Sequence, residues 1–369
     1  MIQENNRGFF ICSISPGDFR KSIEVGVYGN RFNFSKKGKE LRDNDKLSII
    51  RDLIAIKPGD IIFLHVIGEQ KVYGLFEALS EPFYSEYPIW DRNEELFPCR
   101  FCFKFSDYIV EYIKKKKLPY ISVNQLYEII ETKNIKSLIS LEFEQNIERR
   151  SVRKILGFDA SKILEGFTAN MQLENLPNSI ETIYKDETCQ GVPLKRKIFK
   201  VGNIENAVKA VLLYQLAWKG EFFKLLFGLA IENLKYFDFA NEVFISPITR
   251  KLMDIYVFAK FKNNYEKHYV IEVKTKKVEI KDLLQGISYA DLLVSLGWIK
   301  NELYSREVIM IGRSFDKEVI KMSKSLNQFY SENLKIRLIQ YEHVENKTWA
   351  KFKEIDLNHS TQSQLKLDF

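Results

Sequence analysis

The chain has 369 residues, 45% of them hydrophobic and 28% charged. That excludes a mainly disordered polypeptide and is long for one core, so two domains are expected. Collagen-like and disulfide-framework classes fail on 17 Gly, 9 Pro and 4 Cys, while a net charge of +7 permits nucleic-acid binding without demanding it.

The chain opens without the basic start and apolar run of a signal peptide. Phe9 to Ile14 reads as a strand broken by Pro16-Gly17-Asp18, and Asp45 to Ile56 has the apolar spacing of a helix. The turn Lys57-Pro58-Gly59-Asp60 launches a strand over Ile61 to Val66, and Gly68-Glu69-Gln70 turns into another from Lys71 to Phe76. Mixed strands around one or two helices predict a small barrel-like domain. Cys99 and Cys102 form a C-x-x-C on an alternating strand, where an i, i+3 pair faces opposite ways, and no second ligand pair follows at zinc spacing. With Cys12 and Cys189 they are expected to be reduced thiols in a cytosolic protein.

Tyr108 to Phe167 reads as mostly helical, with a helix start at Ser122-Val123-Asn124-Gln125. Residues 1–170 are therefore assigned to the first domain. Residues 171–200, which lose periodicity and collect Asn175, Pro177, Asn178 and Gly191, are assigned to a linker. Residues 201–369 form the second domain. It opens with helical sequence from Asn203 to about Leu234, interrupted at Lys219-Gly220. Strands follow over Glu242 to Ser246, Leu252 to Phe261 and His268 to Lys274, then a helix from Lys281 to Leu296, a strand from Val308 to Ile311, a helix from Lys317 to Tyr330 and a strand from Ile336 to Tyr341. This order predicts a mixed sheet flanked by helices, and the whole chain reads as an α+β or α/β protein. The longest apolar stretch, near Leu225 to Ile231, is too short to cross a bilayer, so no membrane partner is expected.

Three residues of the second domain carry a chemical signal. Glu272 and Lys274 share a strand face, and a hairpin turning at Asn263-Asn264 places Asp254 within about one residue of Lys274. Two carboxylates can hold Mg²⁺ through hard oxygen ligands, the Val273 carbonyl can add a third, and an ammonium can orient water or offset phosphate charge. Asp254 and the triplet Glu272-Val273-Lys274 resemble the PD-(D/E)XK nuclease superfamily, and Gln285-Gly286-Ile287-Ser288-Tyr289 is similar to the Q-x-x-x-Y on the following helix of many members. Met253 stands where the pattern has Pro. The resemblance implies a restriction-endonuclease-like fold over roughly Asn203 to Tyr341, with Asp254, Glu272, Lys274 and Gln285 as catalytic residues and Mg²⁺ as cofactor, Mn²⁺ serving in its place. It also implies one more acid from the first core helix, Glu221 or Glu232.

The first domain resembles the EVE and YTH group of PUA-like domains in Phe9-Phe10-Ile11-Cys12-Ser13, Gly26-Val27-Tyr28-Gly29, the Ile56 to Phe63 turn and strand, Val72 to Glu77 and Pro82-Phe83-Tyr84. The resemblance implies a PUA-like β-barrel that stacks a flipped modified base between aromatic rings. Tyr28, Phe32, Tyr84 and Trp90 are the candidate pocket, with Phe34 and Tyr87 nearby; Arg31, Lys36, Lys37 and Lys39 are candidate backbone contacts. Together the two resemblances imply a modification-dependent endonuclease acting as a dimer on double-stranded DNA that carries a modified, cytosine-derived base. A structure-specific repair nuclease and a nucleic-acid (RNA) binding protein with an inactive nuclease-like domain remain open at this point.

Overall fold

The structure is a computed structural model that describes residues 7–34, 38–90, 97–138, 150–176, 189–246, 251–299, 305–330, 333–343 and 350–357. It is a mixed α/β protein of two units. One comprises residues 1–199 with Ala210–Trp218, and the other Lys200–Lys209 with Lys219–Phe369. Among the described residues no helix is long and apolar enough to cross a membrane.

The first unit is built on one large sheet. Strand β1 (Phe9–Ile14) leads into helix α1 (Pro16–Val25), then β2 (Val27–Asn30), helix α2 (Asp43–Leu53), β3 (Ile61–Val66), β4 (Lys71–Ala78), β5 (Phe83–Tyr84) and β6 (Cys99–Phe105). Short helix α3 (Val110–Lys114), β7 (Lys117–Ser122), α4 (Val123–Thr132), β8 (Val152–Ile155), α5 (Gly157–Asn170), β9 (Gln172–Asn175) and β10 (Val192–Pro193) follow. β1 lies parallel to β3 and antiparallel to β8. Beside β3, strand β4 pairs through Lys71–Tyr73 with β7 and through Phe76–Ala78 with β6, and this change of neighbour along one strand curls the sheet.

Strand β1 ends before Pro16 as expected, and Pro16 then starts helix α1, because Ser15 accepts a hydrogen bond from the Asp18 N–H and proline fits the first helical turn. Three sequence expectations are corrected here. The segment from Tyr108 to Phe167 contains two strands, β7 and β8, besides its helices. Parts of the expected linker are strands of the first sheet, since β9 pairs with β7 and β10 with β5, while residues 177–188 lie outside the described residues. Finally, Cys102 is not a free thiol: the alternation of β6 turns it away from Cys99 and towards Cys189, and the two form a disulfide with Cα atoms 5.9 Å apart. Cys12 and Cys99 are free and buried.

The second unit follows the expected order closely. Helix α6 (Glu205–Ala217), of which Glu205–Lys209 belong to this unit, and α7 (Glu221–Phe227) precede β11 (Leu234–Ser246), β12 (Lys251–Phe261) and β13 (Glu266–Lys274). Then come α8 (Ile280–Ser295), β14 (Ser305–Gly312), α9 (Lys317–Tyr330), β15 (Leu334–His343) and β16 (Ala350–Glu354), the last absent from the sequence reading. The six strands lie in sequential order, antiparallel through β13, parallel from β13 to β15 and antiparallel again at β16. Parallel neighbours require crossovers, which α8 and α9 supply. Under this sheet Arg337 is buried among Glu307, Glu354 and the carbonyls of Leu225 and Leu226, and Lys267 also reaches Glu307.

Burial gives the first unit a pH signature. His65 on β3 is buried, with Nδ1 3.4 Å from Ser13 Oγ, and burial, helped by the Arg153 charge, lowers its pKa to about 4 from the ordinary 6.5. The unfolded chain therefore takes up a proton that the native state refuses, so stability present above pH 6.5 is lost as the pH falls towards 4. Urea unfolding at pH 7.5 and 4.5 should show His65→Gln losing about 2.5 kcal/mol less stability over that interval than the parent chain does. Equal losses in the two proteins would show that His65 is not the group responsible.

Candidate active site

The site forms where the β12–β13 ladder ends. Main-chain pairing runs from Lys260 opposite Glu266 to Ile255 opposite Ile271, which brings Asp254 level with Glu272 instead of Lys274. The expected register is thus two residues out, and because that shift is even the side chains keep their face. Beyond Ile255 the carboxylates take over from the ladder. The Asp254 N–H donates to Glu272 Oε1 at 3.3 Å, and the Val273 N–H donates to Asp254 Oδ2 at 2.8 Å.

The Glu272 side chain is only 1% exposed, and Lys274 Nζ lies 3.4 Å from its Oε2. Burial first, and then the charge of Asp254, push the Glu272 carboxyl well above the usual carboxylate range. Burial works against the Lys274 charge, but the carboxylates of Glu272, Asp254 and Glu205 outweigh it and hold that ammonium protonated. Helix α8 closes the other side. Gln285 Nε2 donates to Tyr289 Oη at 2.7 Å and to Glu272 Oε2 at 3.3 Å, so the Q-x-x-x-Y residues fix the orientation of a carboxylate as well as packing the helix. Gly286 permits that approach: a Cβ there would lie 2.8 Å from Val308 Cγ1.

Neither acid expected from the first helix is among the residues in contact here. Glu221 opens α7 and Glu232 follows it in a 3₁₀ turn, both exposed. The network instead takes Glu205 from the start of α6, together with two residues the sequence reading missed, Lys209 and Glu242. Lys209 Nζ sits 2.5 Å from Asp254 Oδ1, 2.8 Å from Glu205 Oε1 and 2.9 Å from Glu242 Oε1, with its side chain 4% exposed. Burial opposes this charge too, and the three carboxylates overcome it and raise the lysine pKa. Glu242 holds a left-handed backbone at φ 50°, uncommon for a residue with a side chain, where its carboxylate meets Lys209. The i, i+4 spacing of Glu205 and Lys209 was the available sequence signal.

Asp254 and Glu272 present oxygen donors alone, and their mutual repulsion is what a cation between them would relieve. The pair fits Mg²⁺, which binds through one or two carboxylates and retains several waters, better than a soft metal. Among the described residues no group of three or more His, Cys, Asp or Glu side chains is placed to hold a metal ion together.

The aromatic residues of the first unit are not assembled as expected. Tyr28 lies on β2 opposite Phe101, fully buried, with its hydroxyl donating to the Ser13 and Ser151 carbonyls. Trp90 packs on Phe97 and Arg100 within the core. Phe32 and Tyr84 do meet edge to face at 5.5 Å, and Lys197 Nζ lies 4.0 Å from the Tyr84 ring centre. Phe34 and Tyr87 are exposed, Arg31 reaches the Phe97 ring, and Lys36 and Lys37 lie outside the described residues. None of the four expected pocket residues lines a cavity of about 230 Å³ found among the described residues of this unit. Its walls are mostly apolar, among them Phe9, Leu75 and Phe167, with Tyr108, Tyr112 and Arg7 as polar-tipped neighbours.

No family model matches the chain, and no curated protein matches it in sequence.

The close approach at Gly286 makes a measurable demand on the fold. Overpacking from Gly286→Ala costs about 1–3 kcal/mol, against roughly 1 kcal/mol gained in helix propensity. Urea unfolding should therefore show a net loss on the order of 1 kcal/mol, and a gain in stability would contradict the packing of α8 on β14.

Proposed function

We propose that the chain is a Mg²⁺-dependent, modification-dependent DNA endonuclease. The observation that carries this reading is the pair Asp254 and Glu272, held side by side at the end of a β-ladder with Lys274 on the same face. Asp254 and Glu272 would hold the ion, with the Val273 carbonyl next to them in sequence as a further oxygen donor. The bound ion supplies Lewis-acid polarisation of a phosphate oxygen and an acidified water. Around it the residues of the chain have distinct tasks. Lys274 places a positive charge where a pentacoordinate phosphate gains negative charge, and Gln285 keeps the Glu272 carboxylate turned towards Asp254. Because all of these groups stand on strands and one helix, their positions are set before substrate arrives.

Recognition of a modified base rests on the EVE/YTH resemblance of the first unit. The cavity walled in part by Phe9 and Phe167, and the Phe32–Tyr84 pair with Lys197 over it, are two places among the described residues where a planar ring could meet aromatic faces. One site of this kind cuts one strand, so cutting both strands would take a homodimer. One observation favours a second reading, a nucleic-acid-binding protein with a silent nuclease-like domain: Asp254 is already neutralised by the ion pair with Lys209.

Digestion of matched plasmids that are unmodified, 5-methylcytosine-containing or 5-hydroxymethylcytosine-containing separates these readings. Cutting of a modified plasmid alone, dependent on Mg²⁺, is the expected result; equal cutting of all three would remove the modification requirement, and no cutting of any DNA or RNA would favour the silent domain. Asp254→Ala and Lys274→Ala should each lower the cleavage rate by about 10²-fold or more while DNA retention in gel-shift assays stays near that of the parent. Cleavage persisting in either variant would place the chemistry elsewhere.

A further inference from the structure

We propose that Lys209 is the resident counter-ion of the acidic site, and that a divalent cation loads only when this ammonium gives up Asp254 and remains on Glu242 and Glu205. The proposal rests on the metal-site reading above and concerns how that site is kept until an ion arrives.

The geometry points to competition for one carboxylate. Asp254 Oδ2 accepts the Val273 N–H, which leaves Oδ1 as the oxygen free of the backbone, and Lys209 Nζ sits on it at 2.5 Å. A divalent ion approaching the same carboxylate would stand next to a buried ammonium, and two cations sharing one anion repel. Lys209 has somewhere to go. An ammonium carries three donors, and two of them already point at Glu205 Oε1 and Glu242 Oε1, at 2.8 and 2.9 Å. Both seats are anchored independently of Asp254, since Glu205 is one helical turn before Lys209 on α6 and Glu242 belongs to β11. A short swing of a flexible stem therefore exchanges one counter-ion for another without exposing the lysine charge unpaired. Without this lysine, Glu205, Glu242, Asp254 and Glu272 would crowd together uncompensated except for Lys274. Its presence lets the acidic site fold in the absence of metal, at the cost of weaker metal binding.

The test is a titration of the full chain with Mn²⁺, without nucleic acid, following the electron paramagnetic resonance signal of the free ion. The parent should bind weakly, and Lys209→Met should lower the Kd by about tenfold or more, because a competitor for the ligand has been removed. Circular dichroism reports whether Lys209→Met folds. Should it not, Lys209→Gln, which removes the charge but keeps an amide donor for the carboxylates, should lower the Kd several-fold in the same direction. An unchanged or higher Kd in a folded variant, alongside parent binding that Glu272→Gln abolishes, overturns the role of Lys209 and leaves the metal site standing. Absence of Mn²⁺ binding by the parent and by a folded variant alike overturns the metal site and the proposal with it.

Discussion

Two carboxylates forced together at the end of a ladder are the constraint on which the second unit turns. Burying an uncompensated carboxylate costs several kcal/mol, and two adjacent ones add their repulsion. The structure meets this cost with groups from four elements. Backbone N–H groups of β12 and β13 satisfy one oxygen of each carboxylate, Lys274 and Gln285 address the other oxygen of Glu272, and Lys209 addresses that of Asp254. The placing of α6 and α8 follows from that arrangement. α6 must deliver an ammonium to the sheet, and α8 must come close enough for an amide to reach Glu272, which Gly286 allows. The packing of these elements and their chemistry are one problem with one solution.

Much of this was legible in the sequence because it rests on short-range rules. Helix α9 begins and ends where its periodicity placed it, and the break at Lys219-Gly220 separates α6 from α7 as expected. Asp254, Glu272 and Lys274 fell on one face because strand alternation is insensitive to an even slip in register. Their partners were another matter. The Lys260 to Glu266 pairing centres the hairpin on Asn263, whereas a centre on Asn264 would set Lys274 opposite Asp254; moving the centre by one residue moves the partner by two, to Glu272. Lys209 could not be singled out, because a lysine on a helix is ordinarily solvated and only the tertiary fold shows three carboxylates converging on it. β16 was missed for a related reason: Ala350-Lys351-Phe352-Lys353-Glu354 is short and mostly polar, and it becomes a strand by pairing with β15.

The aromatic excess divides differently from what loop-like segments suggested. Tyr28 is drawn into the core by the pairing of β2 with β6, which sets it across from Phe101 and within reach of the Ser13 and Ser151 carbonyls, to which its hydroxyl donates. Trp90 covers Gly29, where a Cβ would stand 2.5 Å from the indole. Near the same cluster the disulfide joins β6 to residue 189, a contact spanning 87 residues that no local pattern could reveal. Aromatic residues between strands signal a pocket only when the sheet leaves them uncovered. In this unit the sheet covers Tyr28 and Trp90, while the open cavity is lined by residues whose spacing read simply as core.

Arg337 determines how far the second unit extends along the chain. Its guanidinium closes the carbonyl end of α7 at Leu225 and Leu226, touches Glu307 on β14 and forms a two-pronged ion pair with Glu354 on β16. A shortened protein ending at His343 would keep every strand that positions the acidic cluster. It would nevertheless lose one of the two carboxylates facing this buried cation, together with the strand shielding the sheet edge at β15. The last strand among the described residues is thus an electrostatic cover for Arg337, and trimming the gene at that point would leave a buried cation underpaired and a sheet edge open even though no residue of the acidic cluster had been removed.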